Sequence, residues 1–358
     1  MTKKKVALLM SGGVDSSYSA YLLRENYKIF GIYLKLHNND KKHDFFIQKC
    51  QKVAANLDID FRVIDLREAF KQKVYDYFIA SYKNAKTPNP CAMCNPNIKF
   101  GLGLEKALEL GCEFIASGHY ARIKHIDGKN YIQEALDKSK DQSYFLFGIS
   151  QFAKDRLIFP LGDKMKESVK KEAFEVMPWF GELEEYKDSQ EICFVEKDYI
   201  YTLKNELNIE QKGAIRNLQG EQIGTHKGYM QYTIGKRKGL DIPLSLKAQY
   251  VVKIDALRNE IIVGDKEDLL KREIVAKSLT PHDLQGLKDG EYHIKIRYRS
   301  KAVRANLAFN GDEICATLLE PVYGVAEGQG LVIYKDDVVL GGGFIESSLY
   351  ICGFGNLF

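Results

Sequence analysis

The sequence predicts an α/β protein: an N-terminal parallel sheet wrapped by helices, then a small β-rich region and a C-terminal β-barrel. Over about the first 200 residues, short apolar runs alternate with longer stretches of helical period. Glycines become frequent from about Gly213, and beyond about Lys266 only strand-like, period-2 stretches and turns follow. A chain of 358 residues is long enough for two or three domains. We expect three, at 1–205, 206–266 and 267–358.

The individual elements follow from apolar periodicity and turn residues. The predicted N-terminal strands are Lys5–Met10, Ile29–Leu34, Phe61–Asp65 and Phe114–Ser117. The predicted helices lie near Ser17–Asn26, Asp44–Leu57, Leu66–Lys83 and Ile98–Leu110, and Gly111 suits the C-cap of the last. In the C-terminal part, the clearest period-2 stretches are Tyr292–Tyr298 and Gly330–Val339.

Composition and charge exclude several classes of protein. With 45% apolar and 28% charged residues, the chain is neither disordered nor collagen-like. The 52 basic and 48 acidic residues leave a net charge of +4, so a nucleic-acid partner must be argued from local patches. No apolar run approaches the roughly 18 residues of a membrane span, and Val6–Met10 is too short for a signal-peptide core. We therefore expect a cytoplasmic protein without a membrane partner.

The seven cysteines are an odd number spread through a long chain, which argues against a secreted disulfide framework. Cys91 and Cys94 form a C-x-x-C in a proline-rich loop, a spacing that indicates redox or metal chemistry. Cys193 stands alone after the polar stretch 187–191. The remaining four are expected to pack in the core: Cys50, Cys112, Cys315 and Cys352.

A glycine-rich loop, Ser11–Ser17, follows the first predicted strand and opens the first predicted helix. Adjacent glycines let the backbone approach an anion, hydroxyls add donors, and a helix N-terminus supplies oriented N–H groups. The loop has neither the lysine of a P-loop nor the spacing of a dinucleotide fingerprint. The alternative is a purely structural strand-to-helix turn. The full S-G-G-V-D-S string at this position instead favours phosphate binding.

Eight motifs give the chain a specific resemblance that runs almost from end to end. They are S-G-G-V-D-S-S, T-P-N-P-x-x-x-C-N-x-x-I-K-F, S-G-H-Y-A-R, S-K-D-Q-S-Y-F-L, E-I-C-F-V, G-Y-M-Q-Y-T-I-G-K-R-K-G, K-I-R-Y-R-S and P-V-Y-G-V-A-E-G-Q. In this order they resemble the tRNA-specific 2-thiouridylases of the PP-loop ATP pyrophosphatase superfamily. The resemblance implies a PP-loop catalytic domain followed by two tRNA-binding β domains.

The resemblance also implies the reaction: ATP adenylates the 2-oxygen of the wobble uridine of certain tRNAs, and sulfur carried on a cysteine then displaces AMP. Asp15 would help to position Mg²⁺ on the phosphates. The implied ATP-binding residues are Leu9, Met10, Ser11, Gly12, Gly13, Val14, Asp15, Ser16, Leu34 and Gly118.

Sulfur delivery has two possible forms. By resemblance, Cys193 carries the persulfide, and Cys94 attacks it to release sulfide or to form a Cys94–Cys193 disulfide. However, Cys91 stands where better-known members of the family have Asp. Cys91, Cys94 and Cys193 could therefore also hold three irons of a [4Fe–4S] cluster. A tetrahedral zinc site would need a fourth ligand, for which no adjacent candidate exists. A purely structural C-x-x-C is the third reading.

The tRNA contacts are likewise implied by motif matches. They are Asn89, Pro90 and Cys91 around the target base, together with His119, Lys140, Asp141, Gln142, Arg297, Tyr298 and Gln329. The charges of 295–301 alternate, so in a strand they would form one basic stripe able to follow a phosphate backbone. The alternative interpretation is that these charges only form a solvent-exposed strand face without a binding role.

Two other functions fit parts of the sequence. A PP-loop ligase or amidotransferase would adenylate a small carboxylate without tRNA, and an RNA-binding module with a vestigial nucleotide site would have no activity. For the thiouridylase, a cysteine desulfurase or a sulfur-relay protein is implied as the sulfur donor. Leu36–His43 is short compared with what we expect of the family. If this loop contributes to docking of the sulfur donor, the donor would differ from that of other family members.

Overall fold

The computed structural model describes residues 3–181, 192–243, 247–278, 280 and 284–349. The chain forms two compact units, each built from separate segments. The first comprises Met1–Val74, Cys91–Glu191 and Tyr334–Leu340, and the second comprises Tyr75–Pro90, Ile192–Ile333 and Gly341–Phe358. None of the described helices is both long and apolar enough to cross a membrane.

The described elements alternate between helix and strand at first and are almost all strands later. The strands are β1 Lys4–Leu9, β2 Tyr27–Lys35, β3 Asp60–Asp65, β4 Phe114–Ser117, β5 Ala121–Ile126, β6 Lys129–Glu134, β7 Leu157–Ile158, β8 Gly213–Arg216, β9 Gln222–His226, β10 Tyr250–Asp255, β11 Glu260–Gly264, β12 Leu270–Ser278, β13 Gly290–Lys295, β14 Val303–Asn310, β15 Glu313–Tyr323, β16 Gly330–Lys335 and β17 Val338–Leu349. The α-helices are α1 Val14–Leu23, α2 Asp40–Leu57, α3 Arg67–Phe70, α4 Asp76–Lys83, α5 Pro90–Cys94, α6 Gly103–Glu109, α7 Gln151–Lys154, α8 Lys166–Val176 and α9 Tyr199–Glu206.

A parallel five-stranded sheet of order β3-β2-β1-β4-β7 forms the centre of the first unit. All four predicted strands are present, and β7 has only two residues. β1 is central, and its last residue, Leu9, pairs with Ile32 on one side and Ser117 on the other. The carboxyl ends of β1, β2 and β4 therefore meet at one edge, where open α/β sheets bind ligands.

Helices α1 and α2 cover this sheet through an apolar core. Asn39 caps α2 by accepting a hydrogen bond from the backbone N–H of Lys42 at 3.0 Å. The core between these helices and the sheet contains the buried residues Val6, Leu8, Met10, Ala20, Leu23, Ile29, Tyr33, Cys50, Val53 and Ala116. The amino end of α1 is thereby fixed against the carboxyl end of β1.

Two helical segments contain π-helical turns. The segment from α3 to α4 is π-helical over Lys71–Tyr75, and the segment from α5 to α6 is π-helical over Asn95–Leu102. The second segment begins at Pro90 rather than near the predicted Ile98, and proline is well tolerated in the first turn of a helix. π-helical turns are rare in proteins overall, but those that occur frequently lie at functional sites.

The second unit is rich in β structure. A four-stranded sheet of order β10-β11-β8-β9 accounts for the glycine-rich middle of the chain. The C-terminal strands follow the order β12-β15-β14-β13-β16-β17, and pairing of β12 with β17 closes them into a six-stranded barrel. The predicted fold class, a parallel-sheet domain with a β-rich middle and a C-terminal barrel, is confirmed.

Two sequence predictions are wrong in the C-terminal part. Strand β13 ends at Lys295, and residues 296–300 form a turn in which the Arg297 carbonyl accepts from the Ser300 N–H at 3.1 Å and its Oγ at 2.9 Å. The basic residues of 295–301 therefore do not share one strand face. Cys315 is exposed on β15, whereas Cys50 and Cys112 are buried as predicted. The remaining packing candidate, Cys352, lies outside the described residues.

Candidate nucleotide-binding and sulfur-transfer sites

The loop after β1 is closed by its own serines. Ser16 Oγ accepts a hydrogen bond from the Ser11 N–H at 3.2 Å and donates to the Gly13 carbonyl at 3.1 Å. Ser17 Oγ also donates to the Gly13 carbonyl, at 2.9 Å. Helix α1 begins at Val14, directly after the two glycines. The result is a tight turn that ends at a helix N-terminus, an arrangement suited to an anion.

A side chain would be crowded at two glycines in this region. Gly12 has φ +73°, and a Cβ there would lie 2.9 Å from Lys49 Cβ of α2. At the end of β4, a Cβ on Gly118 would lie 3.0 Å from both the Asp15 carbonyl carbon and the Ser16 nitrogen. The end of β4 is therefore pressed against the first turn of α1.

Asp15, in that first turn, is held by two partners. Its Oδ1 accepts a hydrogen bond from the Tyr120 hydroxyl at 2.9 Å. The Lys166 ammonium lies 2.7 Å from both carboxylate oxygens, and Lys166 is only 4% exposed. The Lys166 backbone N–H donates to Asp137 Oδ2 at 3.0 Å. Sequence reasoning missed Lys166, since it is 151 positions from Asp15.

The other predicted ATP residues lie at the same sheet edge. Met10 and Val14 are buried, and Leu9 and Leu34 are half-buried. A Cβ on Gly103 would approach Leu34 Cδ1 to 3.6 Å, so the side chain of Leu34 lies over the start of α6. The structure thus brings the whole predicted ATP set to the edge formed by the ends of β1, β2 and β4.

The C-x-x-C motif lies on α5, where residues three apart share a helix face. Cys91 is exposed, and Cys94 is 6% exposed. Asn95, which follows Cys94, is buried and donates from Nδ2 to the Phe145 carbonyl at 3.0 Å. One thiol of the pair is therefore accessible and the other is enclosed.

In the second unit, the loop that precedes α5 is bound to the turn before β16. Gln329 Nε2 donates to the carbonyls of Thr87 at 3.0 Å and Pro88 at 3.1 Å. The Thr87 N–H donates to the Glu327 carbonyl at 2.8 Å. Gln329, predicted from the sequence as a tRNA contact, thus fixes the chain that leads into the C-x-x-C motif.

Tyr77 of α4 strengthens the same connection. Its hydroxyl donates to the Gly328 carbonyl at 3.3 Å and accepts from the Asn89 N–H at 3.3 Å. Burial raises the pKa of Tyr77 to about 12, so the hydroxyl keeps its proton and remains a donor at neutral pH. Asn89 itself is buried.

Cys193 is exposed, but the next residue is anchored in the second unit. Phe194 is 8% exposed and packs edge-on against Tyr75 and Phe78, with ring centroids 5.5 and 5.1 Å apart. The polar residues 187–191 that precede this cysteine lie outside the described residues. Phe194 therefore positions a thiol that stays accessible to solvent.

His119, at the end of β4, is half-buried among aromatic rings. Its Nδ1 lies 2.8 Å from Ser117 Oγ, and the ring lies 5.7 Å from that of Phe100 and 6.1 Å from that of Phe159. Burial, together with the nearby charge of Lys99, lowers the pKa of His119 well below its ordinary value. The side chain is therefore neutral at physiological pH and suited to hydrogen bonding rather than to ion pairing.

The predicted tripeptide 140–142 is largely engaged within its own unit. Asp141 is buried and accepts from the Ala135 N–H at 2.9 Å and from Ser143 Oγ at 2.8 Å. Gln142 Oε1 accepts from the Tyr120 N–H at 2.9 Å. Lys140 is half-buried. Gln142 thus holds the segment that carries Tyr120, the partner of Asp15, whereas Asp141 holds Ala135 and Ser143.

Arg297 and Tyr298 lie in the turn that follows β13. A Cβ on Gly324 would lie 3.0 Å from the Arg297 guanidinium, so this guanidinium covers Gly324. Both side chains are half-buried and belong to the second unit.

The side chains present allow a test for metal binding. Within neither unit do three or more His, Cys, Asp or Glu side chains of the described residues form a group that could hold a metal ion. Asp15 fits Mg²⁺ as a single carboxylate ligand, because Mg²⁺ is commonly bound by one or two carboxylates plus substrate phosphates. The C-x-x-C of α5 supplies two thiols on one face, which is part of the donor set of a cluster.

Three family models together match most of the chain. The "tRNA methyl transferase HUP domain" matches residues 4–197, the "tRNA methyl transferase PRC-barrel domain" matches 201–265, and the "Aminomethyltransferase beta-barrel domain" matches 272–345. These three descriptions correspond to the parallel-sheet domain, the β-rich middle and the C-terminal barrel.

Curated relatives match over nearly their full lengths. A protein of Helicobacter hepaticus named "tRNA-specific 2-thiouridylase MnmA" is 56% identical over 345 residues, which is 96% of this chain and 99% of the relative. The protein of the same name from Helicobacter pylori is 56% identical over 342 residues, covering 95% and 99%. That of Nitratiruptor is 47% identical over 343 residues, covering 96% and 99%. With this identity over this length, the chain belongs to the MnmA family of tRNA-specific 2-thiouridylases.

Proposed function

We propose that the protein is an ATP-dependent enzyme that replaces the 2-oxygen of the wobble uridine of tRNA by sulfur. The observation that carries this proposal is the serine-closed loop at the N-terminus of α1, with Asp15 and Lys166 beside it. This arrangement holds the phosphates of a nucleotide at the edge of the sheet to which β4 also contributes.

The first step is adenylation. A carbonyl oxygen is a poor leaving group, so the 2-oxygen of the uridine attacks the α-phosphorus of MgATP. The bond between the α-phosphorus and the bridging oxygen breaks, and pyrophosphate leaves. The N–H groups and hydroxyls of Ser11–Ser16 bind the departing pyrophosphate, and Asp15 adds a carboxylate for Mg²⁺ on the phosphates. Leu34 and Gly118 border the nucleotide.

The second step transfers sulfur. The terminal sulfur of a Cys193 persulfide attacks C2 of the uridine, and AMP leaves with the oxygen. The Cys94 thiolate then attacks Cys193 Sγ, which breaks the S–S bond and leaves the second sulfur on the base. The two cysteines end as a disulfide, which an external thiol reductant reduces. The exposure of Cys193 supports this order, because a donor protein must reach it to load the persulfide.

A second chemistry uses the same thiols. In this chemistry Cys91 and Cys94 of α5, together with Cys193, would bind three irons of a [4Fe–4S] group. Such a group would supply an open iron that binds sulfide, and the three thiolates would hold it in place.

The tRNA and the donor complete the proposal. Arg297 and Tyr298 on the barrel, His119 and Lys140 on the first unit, and the loop of Asn89, Pro90 and Cys91 are the proposed tRNA contacts. Asp141, Gln142 and Gln329 belong to this proposed set through the family resemblance. We place the reaction in the cytoplasm, where thiols stay reduced. The donor is a cysteine desulfurase or a sulfur-relay protein.

The test is the formation of 2-thiouridine in transcribed tRNA, measured by mass spectrometry after anaerobic purification with iron and sulfide analysis. Cys94→Ser and Cys193→Ser should abolish the product and still release pyrophosphate, whereas Cys315→Ser, which removes an exposed thiol elsewhere, should be active. Iron-free active protein supports the persulfide, and activity that requires about four irons per chain supports the cluster. ATP consumption without tRNA would instead indicate a ligase, and no ATP consumption an RNA-binding module.

A further inference from the structure

Asp15 belongs to the glycine-rich motif, but its ion-pair partner Lys166 lies outside it. In P-loop proteins, the lysine that reaches the β- and γ-phosphates belongs to the motif, and here no lysine lies within Ser11–Ser17. The structure supplies one from α8, which begins at Lys166, 151 positions along the chain. This inference rests on the use of ATP in the proposed function.

We propose that Lys166 is a substrate-binding residue whose ammonium contacts the pyrophosphate part of ATP. Asp15 lies in the first turn of α1, at the end where the helix dipole and the loop N–H groups attract an anion. The ammonium, 2.7 Å from both of its carboxylate oxygens, is held at that same end. The phosphate-binding charge is thus delivered from a second helix.

The electrostatics of the loop require such a cation. A carboxylate at the N-terminus of α1 repels phosphate oxygens, and this repulsion is stronger at a protein surface than in bulk water. Lys166 offsets the charge of Asp15, and because an ammonium carries three N–H donors it can also donate to a phosphate oxygen. Tyr120, which donates to Asp15 Oδ1, keeps the carboxylate turned toward the lysine.

The cost of placing Lys166 here also indicates a function. A lysine is almost never this buried unless it is paired, and a cation in the first turn of a helix opposes the helix dipole. Lys166 is paired with Asp15, which offsets the cost of its burial, but its place in the first turn of α8 still opposes the helix dipole. Its N–H is additionally fixed by Asp137. Positions that break a local rule of stability are often functional ones.

The test measures binding alone, with no tRNA and no sulfur. Lys166→Met should weaken binding of a non-hydrolysable ATP analogue with Mg²⁺ and of inorganic pyrophosphate by about 10- to 100-fold, the value of a charge-assisted hydrogen bond. Binding of AMP, which lacks the β- and γ-phosphates, should change by less than about twofold. Lys166→Arg should recover part of the loss.

The matched control is Lys164→Met, two residues before Lys166 in the chain. It removes an ammonium that lies 2.9 Å from the Glu172 carboxylate. It should bind all three ligands like the wild type. Equal loss of AMP and ATP-analogue binding in Lys166→Met, or no loss of either, would overturn the proposal. So would recovery of pyrophosphate binding in Asp15→Asn/Lys166→Met, since that would show a lysine that only neutralises Asp15.

The proposal and the proposed function fail in different ways. If the wild type binds the analogue with the expected dependence on Lys166 but forms no 2-thiouridine, the lysine assignment stands and the proposed function falls. If 2-thiouridine forms and Lys166→Met behaves like Lys164→Met, the proposed function stands and the lysine assignment falls. Thermal unfolding of each variant verifies that the folded protein is being compared.

Discussion

The side-chain amide of Gln329 donates a hydrogen bond to the carbonyl of Thr87 across 3.0 Å, although 242 positions separate the two residues. The connection joins the turn before β16 to the loop that leads into α5. A part of the barrel region that we propose binds tRNA thus also holds the chain entering the C-x-x-C motif.

Gln329→Ala should slow sulfur transfer by about 5- to 150-fold, because it removes two hydrogen bonds worth roughly 0.5–1.5 kcal/mol each. Gln329→Glu should be worse, since a carboxylate would face the carbonyls of Thr87 and Pro88. Single-turnover formation of 2-thiouridine measures the effect, and ATP binding should be unchanged. Gln249→Ala, which removes an amide bonded to Asp265 elsewhere in the same unit, is the control. Loss of tRNA binding alone, at an unchanged rate, would contradict the positioning role.

Phe194→Ala should impair the delivery of sulfur from Cys193, because the aromatic anchor beside the thiol is lost. The deletion should also cost about 3–5 kcal/mol of stability, the usual value for a buried Phe. Phe194→Leu should keep most of the stability and part of the rate. The measurement is the rate of 2-thiouridine formation from preloaded persulfide. Full activity of a folded Phe194→Ala variant would show that the anchor is dispensable.

Arg297→Gln should weaken tRNA binding and reduce the slope of log K against log[salt] by about one. The reason is the loss of one guanidinium from the turn after β13. This effect does not require the basic residues of 295–301 to share one strand face. Filter binding or fluorescence anisotropy at several salt concentrations measures both quantities. Arg304→Gln, on the same barrel and paired with Glu291 at 2.7 Å, is the control and should leave the slope nearly unchanged. Equal slopes for Arg297→Gln and the wild type would contradict the assignment.

The paired imidazoles of His37 and His43 should make the protein less stable in acid. Burial lowers the pKa of His37 to about 4, and burial likewise lowers that of His43. Between about pH 6.5 and 4 the unfolded chain binds protons that the folded protein does not, so stability present above pH 6.5 is lost as the pH falls.

Thermal unfolding at about pH 7.5 and about pH 5 measures this loss. His37→Asn should narrow the difference between the two pH values, whereas replacement of the exposed His125 by Asn should leave it unchanged. A wild type equally stable at both pH values would contradict the prediction.

The features that could be predicted from sequence are those encoded in neighbouring residues. Strands β1 to β4 are apolar runs bounded by turns, and the loop Ser11–Ser17 follows β1 directly, so pattern alone placed both. Helix starts were harder to predict, because α5 begins at Pro90, before the apolar period becomes visible.

The features that could not be predicted depend on distant contacts or on a turn that interrupts a pattern. No local signal pairs Lys166 with Asp15 or Gln329 with Thr87. The alternation of 295–301 favoured a strand, but Ser300 folds back onto the Arg297 carbonyl and ends it. Cys315 shows the converse error, since apolar neighbours in sequence do not decide which face of β15 a residue occupies.

Cys50 lies beneath the phosphate loop, where a Cβ on Gly12 would be 3.6 Å from its sulfur. Burial raises the pKa of this thiol to about 12, so in the closed loop it is both shielded and protonated. An alkylating reagent can reach it only when α2 and the loop separate. Once the exposed thiols have been blocked, the labelling rate of Cys50 measures how often this end of the sheet opens. Bound nucleotide should lower this labelling rate.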